Sequence, residues 1–228
     1  GQQYATQLEA MSGQGEILDS TKYPEVYAYL DTIKNRILAS GKVKHKDDFP
    51  WRLKIIHNDT ILNAFCVAGG YIYVYTGLIK FLDNEAELAG VLGHEIAHAD
   101  HRHTTMRIMS EYGISAVIAL VTGGDASVFV NIGRKLLGLS FSRSDEKEAD
   151  ESAVLYLYHT TYDGRGVGGF FKKMIEEKKD VNIPVFLSTH PASENRVEDI
   201  NAYWKELGAK EGKFYKEKYA EIKKLLPS

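Results

Sequence analysis

Residues 84–98 read NEAELAGVLGHEIAH, and this stretch is the one around which the rest of the chain is predicted to fold. Its apolar residues recur at three- and four-residue spacing, which predicts an amphipathic helix: Leu88, Val91, Leu92 and Ile96. Asn84 or Asp83 is suited to cap its N-terminus. Glu85 and Glu87 follow in the first turn, where the helix dipole favours acidic side chains. We therefore expect one helix with an apolar flank and histidines near its end.

The helix carries a His-Glu-x-x-His motif. His94 and His98 are four residues apart, so they lie about 40° apart on one face and both imidazoles can reach one metal ion. Glu95 lies beside them and points toward a metal-bound water. The alternative, two solvated histidines beside a surface glutamate, is disfavoured by the apolar flank. The motif predicts a zinc site with His94 and His98 as ligands and Glu95 as general base.

A catalytic zinc usually takes a third protein ligand. On a straight helix His101 would lie about 10.5 Å from His94 along the axis, too far for the same ion. A distant carboxylate is preferred, and the acidic run 145–151 opens another predicted helix. Within it Glu146 could bind zinc while Asp150 accepts the free N–H of a ligand histidine. The alternative reading is an ordinary acidic first turn on a solvated helix.

The remaining pattern predicts a few strands followed by many helices, which is typical of an α+β domain. A helix is expected from Pro24 to just before Gly41. A small sheet of about three strands is expected from residues 51–57, 63–65 and 71–75. Further helices are predicted at about 128–139, 144–158, 166–178, 193–207 and 212–226.

Composition excludes several classes of protein. The 228 residues include 28 basic and 31 acidic ones, and the net charge of -3 gives no electrostatic footprint for nucleic acid. The single cysteine, Cys66, excludes an internal disulfide framework and a zinc site built on paired cysteines, and it is read as a buried apolar side chain. The apolar stretch 113–122 is far shorter than the roughly 20 residues of a membrane span, so no transmembrane segment is expected.

Several motifs together resemble one family, the HtpX and CAAX prenyl protease zinc peptidases, metallopeptidase family forty-eight. The similar stretches are Gly93–His98, Arg102-His103, Ser142–Asp150, Asn63–Phe65, Gly69–Val74, Thr76–Leu78, Tyr162-Asp163 with Phe170-Phe171, and Thr189–Pro191 with Arg196. They cover roughly residues 24–205. Ala68 stands where relatives usually have proline and Thr161 where they have glycine, and both departures lie outside the metal site. The soluble, BepA-like periplasmic branch of the family is the most similar.

The resemblance implies a mainly helical zincin of the gluzincin type, with a small sheet beside the active-site helix. A single zinc metallopeptidase domain at 23–228 would follow an N-terminal arm at 1–22. One Zn²⁺ per chain would be held by His94, His98 and Glu146, with Glu95 as base and Asp150 as partner of a ligand histidine. Polypeptide substrates, envelope-protein partners and a periplasmic location in the bacterial envelope are also implied, although the chain itself shows no leader.

Two further residues enter through the same resemblance. His190 is expected either to stabilise the oxyanion or to occupy the open zinc position in a resting enzyme. Arg196 is the other candidate oxyanion donor, although it could simply pair with Glu194, Glu198 or Asp199. His103 is expected to pack or hydrogen-bond near the helix end, and His101 to be solvated.

The segment from Asn63 to Tyr75 suggests how a substrate could bind. An edge strand with Asn63, Ala64, Gly69 and Gly70 would pair with an extended peptide by strand addition, and this mode requires flexible or unfolded chains. The alternative is an ordinary core strand.

The predicted function is a zinc-dependent metalloendopeptidase acting on unfolded or misfolded proteins. Two other classes stay open: a zinc-binding chaperone or adaptor without proteolysis, and a zinc hydrolase acting on a non-peptide amide. A structural zinc site has no need of Glu95 beside the ligands, so this residue discriminates the first alternative.

Overall fold

The computed structural model describes residues 15–67, 69–122, 140–177, 185–191 and 195–227. The helix predicted at 128–139 lies outside the described residues. In the described part, no helix combines the length and the apolar character that crossing a membrane requires.

A four-stranded mixed sheet forms the β part of the domain, in the order β1-β2-β4-β3. The strands are β1 (Glu16–Ile17), β2 (Arg52–His57), β3 (Ala64–Val67) and β4 (Tyr71–Tyr75). β2 pairs parallel with β4, while β1 and β3 pair antiparallel with β2 and β4. Every residue of β4 is buried, as expected for an inner strand, and β3 lies at one edge. The sequence predicted about three strands; the additional one, β1, lies within the segment 1–22 predicted as an arm.

The other regular elements in the described part of the chain are helices. In chain order they are α1 (Pro24–Leu38), α2 (Thr76–Phe81), α3 (Glu85–Asp100), α4 (His103–Tyr112), α5 (Ile114–Thr122), α6 (Arg143–Tyr158), α7 (Gly166–Glu176), α8 (Val185–Thr189), α9 (Arg196–Glu206) and α10 (Lys216–Lys223). The prediction of a mainly helical α+β domain with a small sheet beside the histidine helix is confirmed.

Helix α3 is the central element of the core. Asn84 caps it, because its side chain accepts a hydrogen bond from the backbone N–H of Glu87 at 3.0 Å. It packs against α1, α6, α7 and β3, and all its residues except Glu87 are buried. A Cβ added at Gly90 would lie 2.6 Å from Cα of Val167, so the close approach of α7 requires glycine there. The histidine motif is therefore held inside the molecule and not on a solvated helix face.

The helix is interrupted directly after Asp100. Asp100 ends the helix, and its carboxylate accepts hydrogen bonds from the backbone N–H of Lys44 and the hydroxyl of Tyr156. Arg102 adopts a left-handed backbone with φ of 59°, and His103 begins α4. The straight helix assumed from the sequence therefore does not continue to His103. This break lets His103 contact His98 of α3.

Helix α6 begins with a capping box, in which the Ser142 hydroxyl accepts from the backbone N–H of Asp145 at 3.1 Å. The helix therefore has the acidic first turn that the sequence suggested. This part of the helix is not fully solvated, because Glu146 and Asp150 are buried against α3. The predicted start of the helix is confirmed within one residue. The position of these two carboxylates is therefore explained by the packing of α6 against α3, and not by the helix dipole alone.

Candidate active site

Four buried side chains from three parts of the chain converge on one point. His94 and His98 come from α3, Glu146 from α6, and His190 follows α8. Nε2 of His94 lies 2.9 Å from Nε2 of His98 and 3.2 Å from Nδ1 of His190. Oε1 of Glu146 lies 2.9 Å from Nδ1 of His190 and 3.3 Å from Nε2 of His98. These four side chains could hold one metal ion, and we call them the inner cluster.

Asp150 orients His94. Oδ1 of Asp150 lies 2.8 Å from Nδ1 of His94. Burial raises the pKa of Asp150, but the charge of the Arg196 guanidinium and the hydrogen bonds from His94 and Arg196 together outweigh it, so the net pKa is lowered and the carboxylate is ionised. An ionised carboxylate only accepts, so Nδ1 of His94 carries the proton. The lone pair of a neutral His94 is then on Nε2, which faces the inner cluster.

His103 orients His98 in a similar way. Nε2 of His103 lies 3.1 Å from Oε2 of Glu148, and Nδ1 of His103 lies 2.9 Å from Nδ1 of His98. In a neutral His103 that donates to Glu148, Nδ1 accepts the proton of His98 Nδ1. The lone pair of His98 is then on Nε2, again facing the inner cluster. The sequence predicted that His103 packs or hydrogen-bonds near the helix end, but it did not identify His98 as a partner, because residues five apart on a continuous helix point in different directions.

The inner cluster fits a divalent cation. Two imidazole lone pairs face each other at 2.9 Å beside a carboxylate, an arrangement that is repulsive unless a positive charge lies between them. Oε2 of Glu146 has no hydrogen-bond partner among the described residues, although the Nη2 of Arg196 is 2.9 Å away. Without a metal, a proton on His94 supplies the positive charge. Burial lowers the pKa of His94, but the carboxylates of Glu146 and Asp150 outweigh this effect and raise the pKa to about 9.

Glu95 lies next to the inner cluster and is itself buried. Its Oε2 accepts a hydrogen bond from the backbone N–H of Cys66 in β3 at 3.0 Å. Its Oε1 has no hydrogen-bond partner in the described part of the chain and lies 3.5 Å from Nε2 of His190. Burial raises the pKa of Glu95, which makes its carboxylate a better proton acceptor. Burial and the nearby Glu95 also raise the pKa of the Cys66 thiol, so Cys66 is not an activated nucleophile.

His190 lies within the inner cluster. Its ring stacks on that of Phe186 with centroids 4.4 Å apart, and its backbone N–H donates to the carbonyl of Phe186. Two roles were expected for His190: a ligand in the open zinc position of a resting enzyme, or a donor to the oxyanion. The contacts of its Nδ1 with Glu146 and His94 agree better with the first role.

Arg196 has other partners than those expected from the sequence. Its Nε and Nη2 bind the two oxygens of Asp150 at 2.7 and 2.8 Å, and Nη1 is directed to the carbonyl of His190 at 3.5 Å. Glu194 lies outside the described residues. The expected partners are close to Arg196 along the chain, whereas the carboxylate of Asp150 that it binds comes from α6, and spacing along the sequence does not reveal this contact. With these donors engaged, Arg196 is better suited to hold Asp150 than to stabilise an oxyanion.

The predicted substrate strand is only partly beside the cluster. Ala64 begins the edge strand β3, and Asn63, just before it, is buried with Oδ1 unpartnered among the described residues. Gly69 and Gly70 lie in the turn to β4 with positive φ. A Cβ at Gly70 would lie 2.7 Å from Cβ of Phe49, so this glycine serves the turn. Substitution at Gly70 would therefore report on folding and not on substrate binding.

Comparison with known proteins identifies relatives of this chain. It is 29% identical over 191 residues to the Beta-barrel assembly-enhancing protease of Yersinia pestis, covering 77% of this chain and 38% of that protein. It is 30% identical over 209 residues to the Mitochondrial metalloendopeptidase OMA1 of Schizosaccharomyces pombe, covering 89% and 60%. It is 31% identical over 194 residues to the protein of that name from Arabidopsis thaliana, covering 82% and 39%. The chain thus spans less than two thirds of each relative.

The model of one protein family matches residues 24–204. The match includes all four residues of the inner cluster, together with Glu95, and it covers most of the chain. The resemblance seen in the sequence motifs is confirmed, and the chain belongs to peptidase family M48.

Proposed function

We propose that this chain is a zinc-dependent metalloendopeptidase that hydrolyses peptide bonds of unfolded or misfolded polypeptides. One observation carries the proposal: the Nε2 atoms of His94 and His98 converge with the carboxylate of Glu146 in a buried site, and an oxygen of Glu95 without a partner among the described residues lies beside them. Membership of peptidase family M48 supports the reaction class.

Each residue of the site has its own role in the proposed reaction. His94, His98 and Glu146 hold the ion, and Asp150 and His103 orient the two imidazoles. Two histidines and one carboxylate are a common ligand set of catalytic zinc sites, which supports zinc as the metal. A bound zinc ion supplies a water of lowered pKa and polarises the scissile carbonyl. Oε1 of Glu95 takes the proton of the attacking water and later delivers it to the leaving amine.

An extended substrate would lie along β3. This strand is the edge of the sheet next to α3, and the N–H of Cys66 already joins it to Glu95. A peptide paired with the edge would place its backbone beside the inner cluster, which suits flexible chains and excludes folded ones. By the same resemblance we propose envelope proteins as partners and a periplasmic location.

Chelation tests the proposal. The isolated protein should contain one zinc per chain, and 1,10-phenanthroline should abolish digestion of unfolded casein, with zinc restoring it. The isomer 1,7-phenanthroline, which does not chelate, is the control. Full activity in a zinc-free protein would refute the proposal. If the protein retains metal but hydrolyses no polypeptide, the result would favour a zinc-binding chaperone or adaptor. In such a protein the unpartnered Oε1 of Glu95 has no evident use.

His190→Ala should raise casein hydrolysis, by about two- to tenfold, while zinc content stays at one per chain. The reason is that His190 holds the site in a closed state, and removing it enlarges the competent fraction. The measurement is initial rate together with metal analysis, with the exposed His159→Ala as matched control. A loss of about 10²-fold or more with zinc retained would instead make His190 an oxyanion donor.

A further inference from the structure

A second group of metal-binding side chains lies just outside the inner cluster. Nδ1 of His101 is 3.3 Å from Oε1 of Glu148, and Nε2 of His103 is 3.1 Å from Oε2 of the same carboxylate. We call these three residues the outer triad. The side chain of Glu148 is 55% exposed and that of His101 15% exposed, so an ion can enter from solvent.

Hydrogen bonds orient His101 for a cation. Nε2 of His101 lies 2.8 Å from Oγ of Ser152. A hydroxyl oxygen can accept a hydrogen bond from an imidazole N–H. When Oγ of Ser152 accepts from Nε2–H of His101, the lone pair of the neutral ring is on Nδ1.

The lone pair of His101 Nδ1 then faces the carboxylate of Glu148. A lone pair directed at a carboxylate is repulsive, and a cation between them removes the repulsion. Two imidazoles and one carboxylate suit zinc and neighbouring transition metals.

We propose that His101, His103 and Glu148 bind a second divalent transition-metal ion, zinc or a neighbour of zinc, and that this ion and the inner ion weaken each other's binding. The site itself stands on the contacts of the outer triad. The mutual weakening rests on the proposed function, because it requires a metal on His98.

The two ions are expected to weaken each other's binding because of the proton between the rings of His98 and His103. Nδ1 of His98 and Nδ1 of His103 are 2.9 Å apart, so a hydrogen bond between the two neutral rings has room for one proton. Binding of the inner ion by Nε2 of His98 requires the proton on Nδ1 of His98. Binding of the outer ion by Nε2 of His103 requires it on Nδ1 of His103. With both ions bound, two N–H groups would face each other or one proton would have to leave.

Coupling of this kind is reciprocal, since each ion lowers the affinity of the other by the same factor. Excess zinc is therefore expected to inhibit hydrolysis by drawing His98 away from the inner ion. This would make the outer triad a metal-responsive control of the inner site.

Equilibrium dialysis of the metal-free chain against zinc tests the outer site. Wild type should bind two ions of unequal affinity, and His101→Ala should bind one. His101→Ala leaves the contact from Glu148 through His103 to His98 intact, and His159→Ala is the matched control that should still bind two. One ion in wild type, or two in His101→Ala with unchanged affinities, would overturn the proposed site. These binding results are independent of any peptidase activity.

A second measurement tests the coupling. In His94→Ala, whose inner site is weakened, the outer triad should bind zinc about fivefold or more tightly than in wild type. Inhibition of casein hydrolysis by excess zinc should be present in wild type and His159→Ala and lost in His101→Ala. Unchanged outer affinity in His94→Ala, or equal inhibition of His101→Ala, would overturn the coupling.

Discussion

Glu95→Gln is expected to lower hydrolysis of unfolded casein by about 10²- to 10⁴-fold, the usual contribution of a general acid–base group. The amide cannot take a proton at Oε1, the atom that lies unpartnered beside the inner cluster. Its oxygen can still accept the hydrogen bond from the backbone N–H of Cys66, so the fold and the β3 contact should be preserved. Zinc content should remain that of wild type.

The matched comparison is Glu146→Gln, which alters a carboxylate of the inner cluster itself. That variant should lose metal as well as activity, whereas Glu95→Gln should lose activity alone. Rates, zinc per chain and thermal unfolding are measured for both. Undiminished hydrolysis by Glu95→Gln would remove Glu95 from the reaction and with it the proposed mechanism.

Arg196→Met is expected to destabilise the metal-free chain by about 3–5 kcal/mol, the cost of leaving a buried partner charge uncompensated. For a chain of this size that corresponds to a fall in Tm of about 6–20 °C. The guanidinium now binds both oxygens of Asp150 and lies 2.9 Å from Oε2 of Glu146. Methionine fills a similar space without the charge.

The effect should depend on pH. Arg196 lowers the pKa of Asp150 against the effect of burial, so the ion pair stabilises the fold above the ordinary pKa of the carboxyl and loses this contribution on acidification. The difference in Tm between wild type and Arg196→Met should therefore be largest at neutral pH and shrink below about pH 4. The double variant Asp150→Asn with Arg196→Met should recover part of the stability. Equal Tm values for wild type and Arg196→Met at pH 7 would show that the pair adds nothing.

Local signals predicted the elements well where neighbours along the chain determine them. The Asn84 cap and the apolar spacing predicted α3, and the acidic run 145–151 predicted the start of α6, because caps, first-turn charges and side-chain periodicity act over one or two turns. Helix α4 was not predicted, because a straight continuation of α3 was assumed. The left-handed Arg102 breaks that continuation, and a single residue with positive φ leaves little trace in the sequence.

Motif spacing likewise identified residues of the inner cluster, but it did not predict all the contacts that they make. His94 and His98 share a helix face, so their proximity follows from helix geometry alone. The contact of His103 with His98, and those of Arg196 with Asp150 and Glu146, depend on how α4, α6 and α9 pack. Packing across elements is determined by the whole core and not by spacing.

By itself the sequence determined the class of fold, the helix that bears the motif, and the residue types that can bind a metal and accept a proton. These follow from short-range periodicity and from side-chain chemistry. The tertiary structure alone decided that His190 enters the cluster, that Arg196 supports Asp150, and that His101 and His103 meet Glu148. Those contacts join residues 44 or more positions apart along the chain, and only the packing of helices around α3 brings them within hydrogen-bond distance.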